Sequence, residues 1–158
     1  VSQFVDDIVK KYGDLLFDLC ESVLWSPINA QLALRSILKT VSKEHRHKAL
    51  PNNFQDHERA WILRIACDRL RKDSARLGRT LTPSEQIELD ASEGVPSRLR
   101  KFDRYFHRLT PEDQLLLLLR DKYGIPYVEI SAAMGTPDGS LKVRRQHALR
   151  ALEDWIWS

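Results

Sequence analysis

The sequence predicts an all-α protein of two small helical domains joined by a linker. Three observations carry this expectation. Apolar residues recur at helical spacing in one segment after another, and no segment alternates apolar and polar residues like a strand. Glycine is scarce, 6 of 158 residues, while leucine and the long charged residues are common, a balance that favours helix. The helical pattern stops at residues 78–97, a stretch with Gly78, Gly94, Pro96 and several acids, and then resumes. The domains are therefore expected at 1–77 and 98–158, with 78–97 as linker.

The first helix is announced by Phe4, Val5, Ile8, Val9, Tyr12, Leu15, Leu16, Leu19 and Val23, with Ser2 as its cap. A second starts at "WSPINAQLALRSILKTV", where Ser26 caps and Pro27 fills a first turn that needs no N–H. Its buried stripe is Ala30, Ala33, Leu34, Ile37, Leu38 and Val41. The stretch 43–57 breaks the pattern, with turn chemistry at Pro51-Asn52-Asn53. A third helix spans about 56–77, with Ile62, Ile65, Ala66 and Leu70 inward and Arg64 and Arg71 on the opposite face. Within the linker, Thr82-Pro83-Ser84-Glu85 fits a capping box and predicts a short helix. Beyond it, Leu99, Phe102 and Phe106 restart the helical spacing. In "LTPEDQLLLLLRDKYG", Thr110 caps, Pro111 fills the first turn and Gly124 ends the helix. "IPYVEISAAMG" supplies about two turns, and "GTPDGSLKVRRQHALRAL" begins the last helix.

Bulk properties exclude several functions. The N-terminal "VSQFVDDIVKKYGD" is acidic and amphipathic, unlike a secretory signal, and the longest apolar run, Leu115–Leu119, is far too short to span a bilayer. A cytoplasmic protein with no membrane insertion is expected. Cys20 and Cys67 lack CxxC spacing and suit two buried thiols in a reducing compartment. His45, His47 and His57 have no cysteine or further close ligand, so neither metal nor other cofactor is expected. No nucleophile–base set, phosphate loop or carboxylate pair stands at a telling spacing, so the chain is not read as an enzyme. A formal net charge of +3 permits nucleic acid without requiring it.

The last helix decides more. At 100° per residue, Ala148, Leu152 and Trp155 fall near Leu141 on one face, while Lys142, Val143, Gln146, His147 and Arg150 occupy the other. Cations suit phosphates, glutamine can pair with adenine and valine can touch a thymine methyl. Arg144 and Arg145 flank the packing stripe and could reach phosphates from its sides. A short helix, a turn of about three residues containing Gly135, and a basic helix that Thr136 caps and Pro137 starts form a helix-turn-helix arrangement. Periodicity alone leaves open an ordinary helical hairpin with a basic solvated face.

The ordered residues Gly124, Tyr127, Glu129, Ile130, Gly135, Pro137, Gly139, Ser140, Leu141, Lys142 and Arg144 resemble the C-terminal DNA-binding domain of extracytoplasmic-function sigma factors, of the sigma-70 family. Ser131 stands where that family usually has alanine. In the N-terminal half, "ERAWILRIACDRLRK" resembles the family's tryptophan-bearing helix through Trp61, Arg64, Ile65 and Ala66, and Leu24 to Ala30 resembles the turn before its second helix. One departure concerns "NAQLALRSIL". Leu32, Arg35 and Ser36 stand where the family carries acid, glutamine and acid to bind the clamp helices of core RNA polymerase.

The resemblance implies an alternative sigma factor whose partners are core RNA polymerase, promoter DNA and an anti-sigma factor. It implies −35 recognition by Lys142, Val143, Arg144, Arg145, Gln146, His147 and Arg150. Melting and capture of the −10 element would fall to His45, Arg46, His47, Lys48, Asn53, Trp61, Arg64 and Arg71, since a base must leave the stack to be read. Polymerase contact would fall to Gln31, Leu32, Arg35, Ser36 and Lys39. Trp61 has a second reading as a core aromatic, and Glu129 as a brace of the helix-turn-helix. A sigma mimic that sequesters an anti-sigma factor is the competing function. A plain helix-turn-helix repressor is disfavoured by the Trp61–Ala66 match.

Overall fold

The computed structural model describes residues 2–47, 50, 54–77 and 104–157, and these form helices and turns only. Helix α1 spans Gln3–Leu24, with the Ser2 hydroxyl accepting the Val5 N–H at 3.3 Å. It ends at Trp25, held left-handed at φ 52°, whose N–H donates to the Glu21 carbonyl. A bulky residue rarely adopts that backbone. Its indole stacks on His107 of the C-terminal half, with ring centres 4.9 Å apart.

Helix α2 covers Pro27–Arg46, capped as expected by Ser26, whose hydroxyl accepts the Asn29 N–H at 3.2 Å. It continues through Lys43–Arg46, where the sequence suggested a loop. Lys43, His45 and Arg46 lie in its last turn, where the helix dipole favours cations. Glu44 turns inward there and accepts the Trp61 Nε1–H at 2.7 Å. The turn expected at 51–53 and the linker 78–97, with its short helix, lie outside the described residues, as do Leu99 and Phe102.

A 3₁₀ turn, Phe54–His57, leads into α3, Glu58–Leu77. This helix buries far more than one stripe, including Trp61, Ile62, Leu63, Ile65, Ala66, Cys67 and Leu70. The reason is its central position, with α1 and α2 on one side and the C-terminal helices on the other.

Helix α4, Pro111–Leu117, is capped by Thr110, whose hydroxyl accepts the Asp113 N–H at 3.2 Å. It passes into a π-helical segment, Leu118–Lys122, where one uninterrupted α-helix was expected. Leu115 through Leu119 are buried in one run across the junction, and Asp121 and Lys122 emerge as exposed residues. Gly124, at φ 65°, ends it. Helix α5 is Tyr127–Met134, closed by Gly135 at φ 69°, and α6 is Asp138–Trp157. The first helical bond of α6 runs from the Leu141 N–H to the Pro137 carbonyl, so Pro137 rather than Thr136 holds the cap position.

One apolar cluster runs from Ile8 in α1 to Leu152 in α6. Polar contacts also join the halves. Arg59 of α3 donates from Nε and Nη2 to Glu129 of α5 at 2.7 and 3.2 Å. Lys122 approaches Asp18 of α1 at 2.7 Å, and the Tyr123 hydroxyl donates to the same carboxylate. Burial alone would raise the Asp18 carboxyl, but these two donors hold it below the ordinary range. Among the described residues no helix is long and apolar enough to cross a membrane.

Both cysteines are free and buried, and burial pushes each thiol up from 9.0 to about 12. The unfolded chain therefore releases thiol protons at a pH where the fold retains them. Their contribution is intact below about pH 9 and is lost as pH rises toward about 12. Tyr12, raised to about 12 by burial and by its hydrogen bond to Glu58, acts in the same direction. The expected result is a melting temperature that falls steadily above about pH 9. A thiol reagent at neutral pH should label Cys20 and Cys67 only at the rate of unfolding.

Candidate nucleic-acid interface

The helix-turn-helix is built by α5, the Gly135 turn and α6. Leu141, Ala148 and Leu152 are buried at 0%, 2% and 4% exposure, which fixes the rotation of α6. That rotation leaves Lys142, Val143, Gln146, His147 and Arg150 exposed together along the opposite face. Trp155 closes the packing face against Tyr105, with ring centres 6.1 Å apart.

Two of the seven residues expected to contact the −35 duplex serve the scaffold. Arg144 pairs with Asp113 at the start of α4, 3.1 Å between Nη2 and Oδ1. Arg145 grips Asp121 with Nε and Nη2, at 2.9 and 2.6 Å for the shortest contacts. These pairs clamp α6 to α4 and the π-helical segment that continues it, on either side of the buried stripe. Of the expected set, Lys142, Val143, Gln146, His147 and Arg150 are the exposed residues. A further residue, Tyr127, was not singled out for this site by the sequence pattern. Its ring lies beneath the Lys142 ammonium at 5.6 Å and the Arg120 guanidinium at 4.7 Å. It holds two cations at the mouth of the turn.

Glu129 takes the bracing role, since both of its carboxylate oxygens accept from Arg59. Arg71 donates to the Met134 carbonyl at 3.3 Å, at the C-terminal end of α5, and to Asp68 at 2.8 Å. The first helix of the motif is therefore docked on α3 by two arginines from the N-terminal half.

The residues expected to act on a melted strand are distributed unevenly. Trp61 is 4% exposed and its one donor is taken by Glu44, so it belongs to the core and offers no face to a base. Arg64 shares the Glu44 carboxylate at 3.3 Å and lies 3.8 Å from Asp68. His45 stacks on Phe4 at 3.8 Å with the rings 5° from parallel. Arg46 and His47 are exposed at the end of α2. Lys48 and Asn53 lie outside the described residues. Glu44, unremarked in the sequence, is the hub of this end of the molecule. The signal was available: it is the one acid in α2.

Of the residues expected to meet polymerase, Gln31, Leu32, Arg35 and Lys39 are exposed on α2, and Ser36 is half-buried beside them. Ile28, 71% exposed, joins them. No group of three or more His, Cys, Asp or Glu side chains able to hold a metal ion forms among the described residues.

Residues 99–152 match the family described as Sigma-70, region 4. No curated protein matches the chain significantly. Among solved structures, the chain resembles the sigma factor RpoE from Bartonella quintana, crystallised in complex with the anti-sigma factor NepR. The TM-score is 0.69 and the identity 16%, over 99% of this chain and 98% of that one. The likeness shows a shared fold.

Proposed function

We infer that this chain, which carries a sigma-70 region 4 on the fold of a sigma factor, is an alternative sigma factor of the extracytoplasmic-function group. It binds core RNA polymerase and directs initiation at promoters with −35 and −10 elements. The observation that carries this is the free face of α6, where Lys142, Val143, Gln146, His147 and Arg150 stand exposed on a helix locked from behind. A recognition helix must be held rigidly while its outer side chains remain available to base edges and phosphates. The Arg144–Asp113 and Arg145–Asp121 clamps supply that rigidity.

The division of labour is 1–77 for polymerase contact and promoter melting, 78–97 as connector and 98–158 for the −35 element. The −10 element falls to the exposed end of α2, at Arg46 and His47, with Lys48 and Asn53 beyond it. The protein acts in the cytoplasm, performs no catalysis and needs no cofactor, because recognition and melting consume only binding energy. Regulation by an anti-sigma factor follows the precedent of RpoE, which was crystallised with one.

The exposed, acid-free face of α2 favours a second reading, a sigma mimic that occupies an anti-sigma factor without directing transcription. Run-off transcription separates the two. Purified protein with bacterial core polymerase is expected to give a specific transcript from its own promoter. Binding without a transcript at any candidate promoter would establish the mimic.

A further inference from the structure

Helix α2 carries a stripe that its own fold leaves uncovered. Ile28 and Leu32 are 71% and 54% exposed, and Arg35 and Lys39 are exposed beyond them. Spacings of four, three and four residues place all four within about 60° of one another on the helix surface. Such spacing is the seam along which a second helix packs. Neither Arg35 nor Lys39 has an ion-pair partner among the described residues. Lys43 extends the same edge, and the one acid of the helix, Glu44, is turned away to Trp61 and Arg64.

We propose that this edge docks an acidic amphipathic helix of a protein partner. The partner's apolar side chains would cover Ile28 and Leu32, and its carboxylates would lie along Arg35 and Lys39. The apolar half of the stripe argues for protein rather than nucleic acid, because two adjacent exposed aliphatic side chains gain nothing from phosphate and much from burial. The cationic half sets the sign of the partner, since like charges across such a seam are strongly selected against. The proposal rests on the sigma-factor reading only in taking α2 as the polymerase-facing helix. The partner's chemistry follows from the stripe itself.

The test needs no polymerase, so it succeeds or fails separately from run-off transcription. A labelled synthetic helix of about three heptads, with leucine at the seam and glutamate flanking it, is titrated with the full chain and followed by fluorescence anisotropy. Its twin carries lysine for glutamate. The glutamate peptide should bind at least about tenfold more tightly than the lysine twin. Arg35→Glu with Lys39→Glu should reverse that order, and Ile28→Ala with Leu32→Ala should weaken both peptides. All four positions are exposed, so an unchanged melting curve certifies each variant. Equal binding of the twins, or glutamate-peptide binding indifferent to the charge reversal, overturns the proposal. So does displacement of the peptide by single-stranded DNA with no effect of the alanine pair, which would assign the stripe to nucleic acid.

Discussion

Lys142→Glu combined with Arg150→Glu should lower affinity for a −35 duplex by about a hundredfold or more at low salt, and should flatten its salt dependence. Each phosphate that is no longer neutralised takes about 0.9 from the slope of log affinity against log salt concentration. Removing two cations from the face therefore changes the slope as well as the intercept. Both side chains are exposed on α6 and neither is paired with an acid among the described residues, so the stability should scarcely move. The expected signature is a changed slope on an unchanged melting curve. Arg144 would make a poor substitute, because Arg144→Glu sets a carboxylate beside Asp113, now 3.1 Å from the guanidinium. Its effect on binding would be mixed with damage to the scaffold. Unchanged affinity and slope for the Lys142 and Arg150 pair would remove this face from the DNA.

The contrast between these arginines and their neighbours marks the limit of reading the sequence alone. Rotation about a helix axis is a local property, and the apolar period of Leu141, Ala148, Leu152 and Trp155 was sufficient to assign the exposed and buried faces of α6 correctly. The caps at Ser2, Ser26 and Thr110 were equally local and equally legible. Which cation is already paired depends instead on residues distant in the chain. Asp113 and Asp121 lie 31 and 24 positions from their arginines. Nor does the spacing that sets Arg71 opposite the inner face of its helix reveal its partner carbonyl at Met134, 63 positions away.

Trp61 and the π-helical segment illustrate a second limit. A tryptophan on a helix bordered by arginines suits either a base or a core, and only the inward turn of Glu44 decides it. The π-helical segment at Leu118–Lys122 has no residue-type signature, because five consecutive leucines are compatible with α-helix and with the wider turn alike. All five leucines are buried, three in α4 and two in the π-helical segment. In the exposed stripe of α2, by contrast, the sequence showed the missing acids but not the neighbouring Ile28, whose exposure emerges only from how α2 lies on α1 and α3.

Leu141→Ala should produce the opposite signature to the charge reversal. Leu141 is fully buried at the point where α6 meets the body of the domain. Truncating a buried leucine typically costs about 2–5 kcal/mol, from forfeited transfer free energy and the cavity left behind. That is a large share of the total stability of a small protein, so the effect should be plain in denaturant unfolding followed by intrinsic tryptophan fluorescence. Apparent affinity for the duplex should fall as the folded fraction falls, but every cation that faces the phosphates is still in place. The slope against salt should therefore remain that of the wild type, and lowering the temperature or adding a stabilising osmolyte should restore binding. A Leu141→Ala protein that stays stable would place this residue outside the packing face. One whose salt dependence flattens while it is folded would mean that the two faces of α6 are not separable, and that the recognition helix moves as it binds.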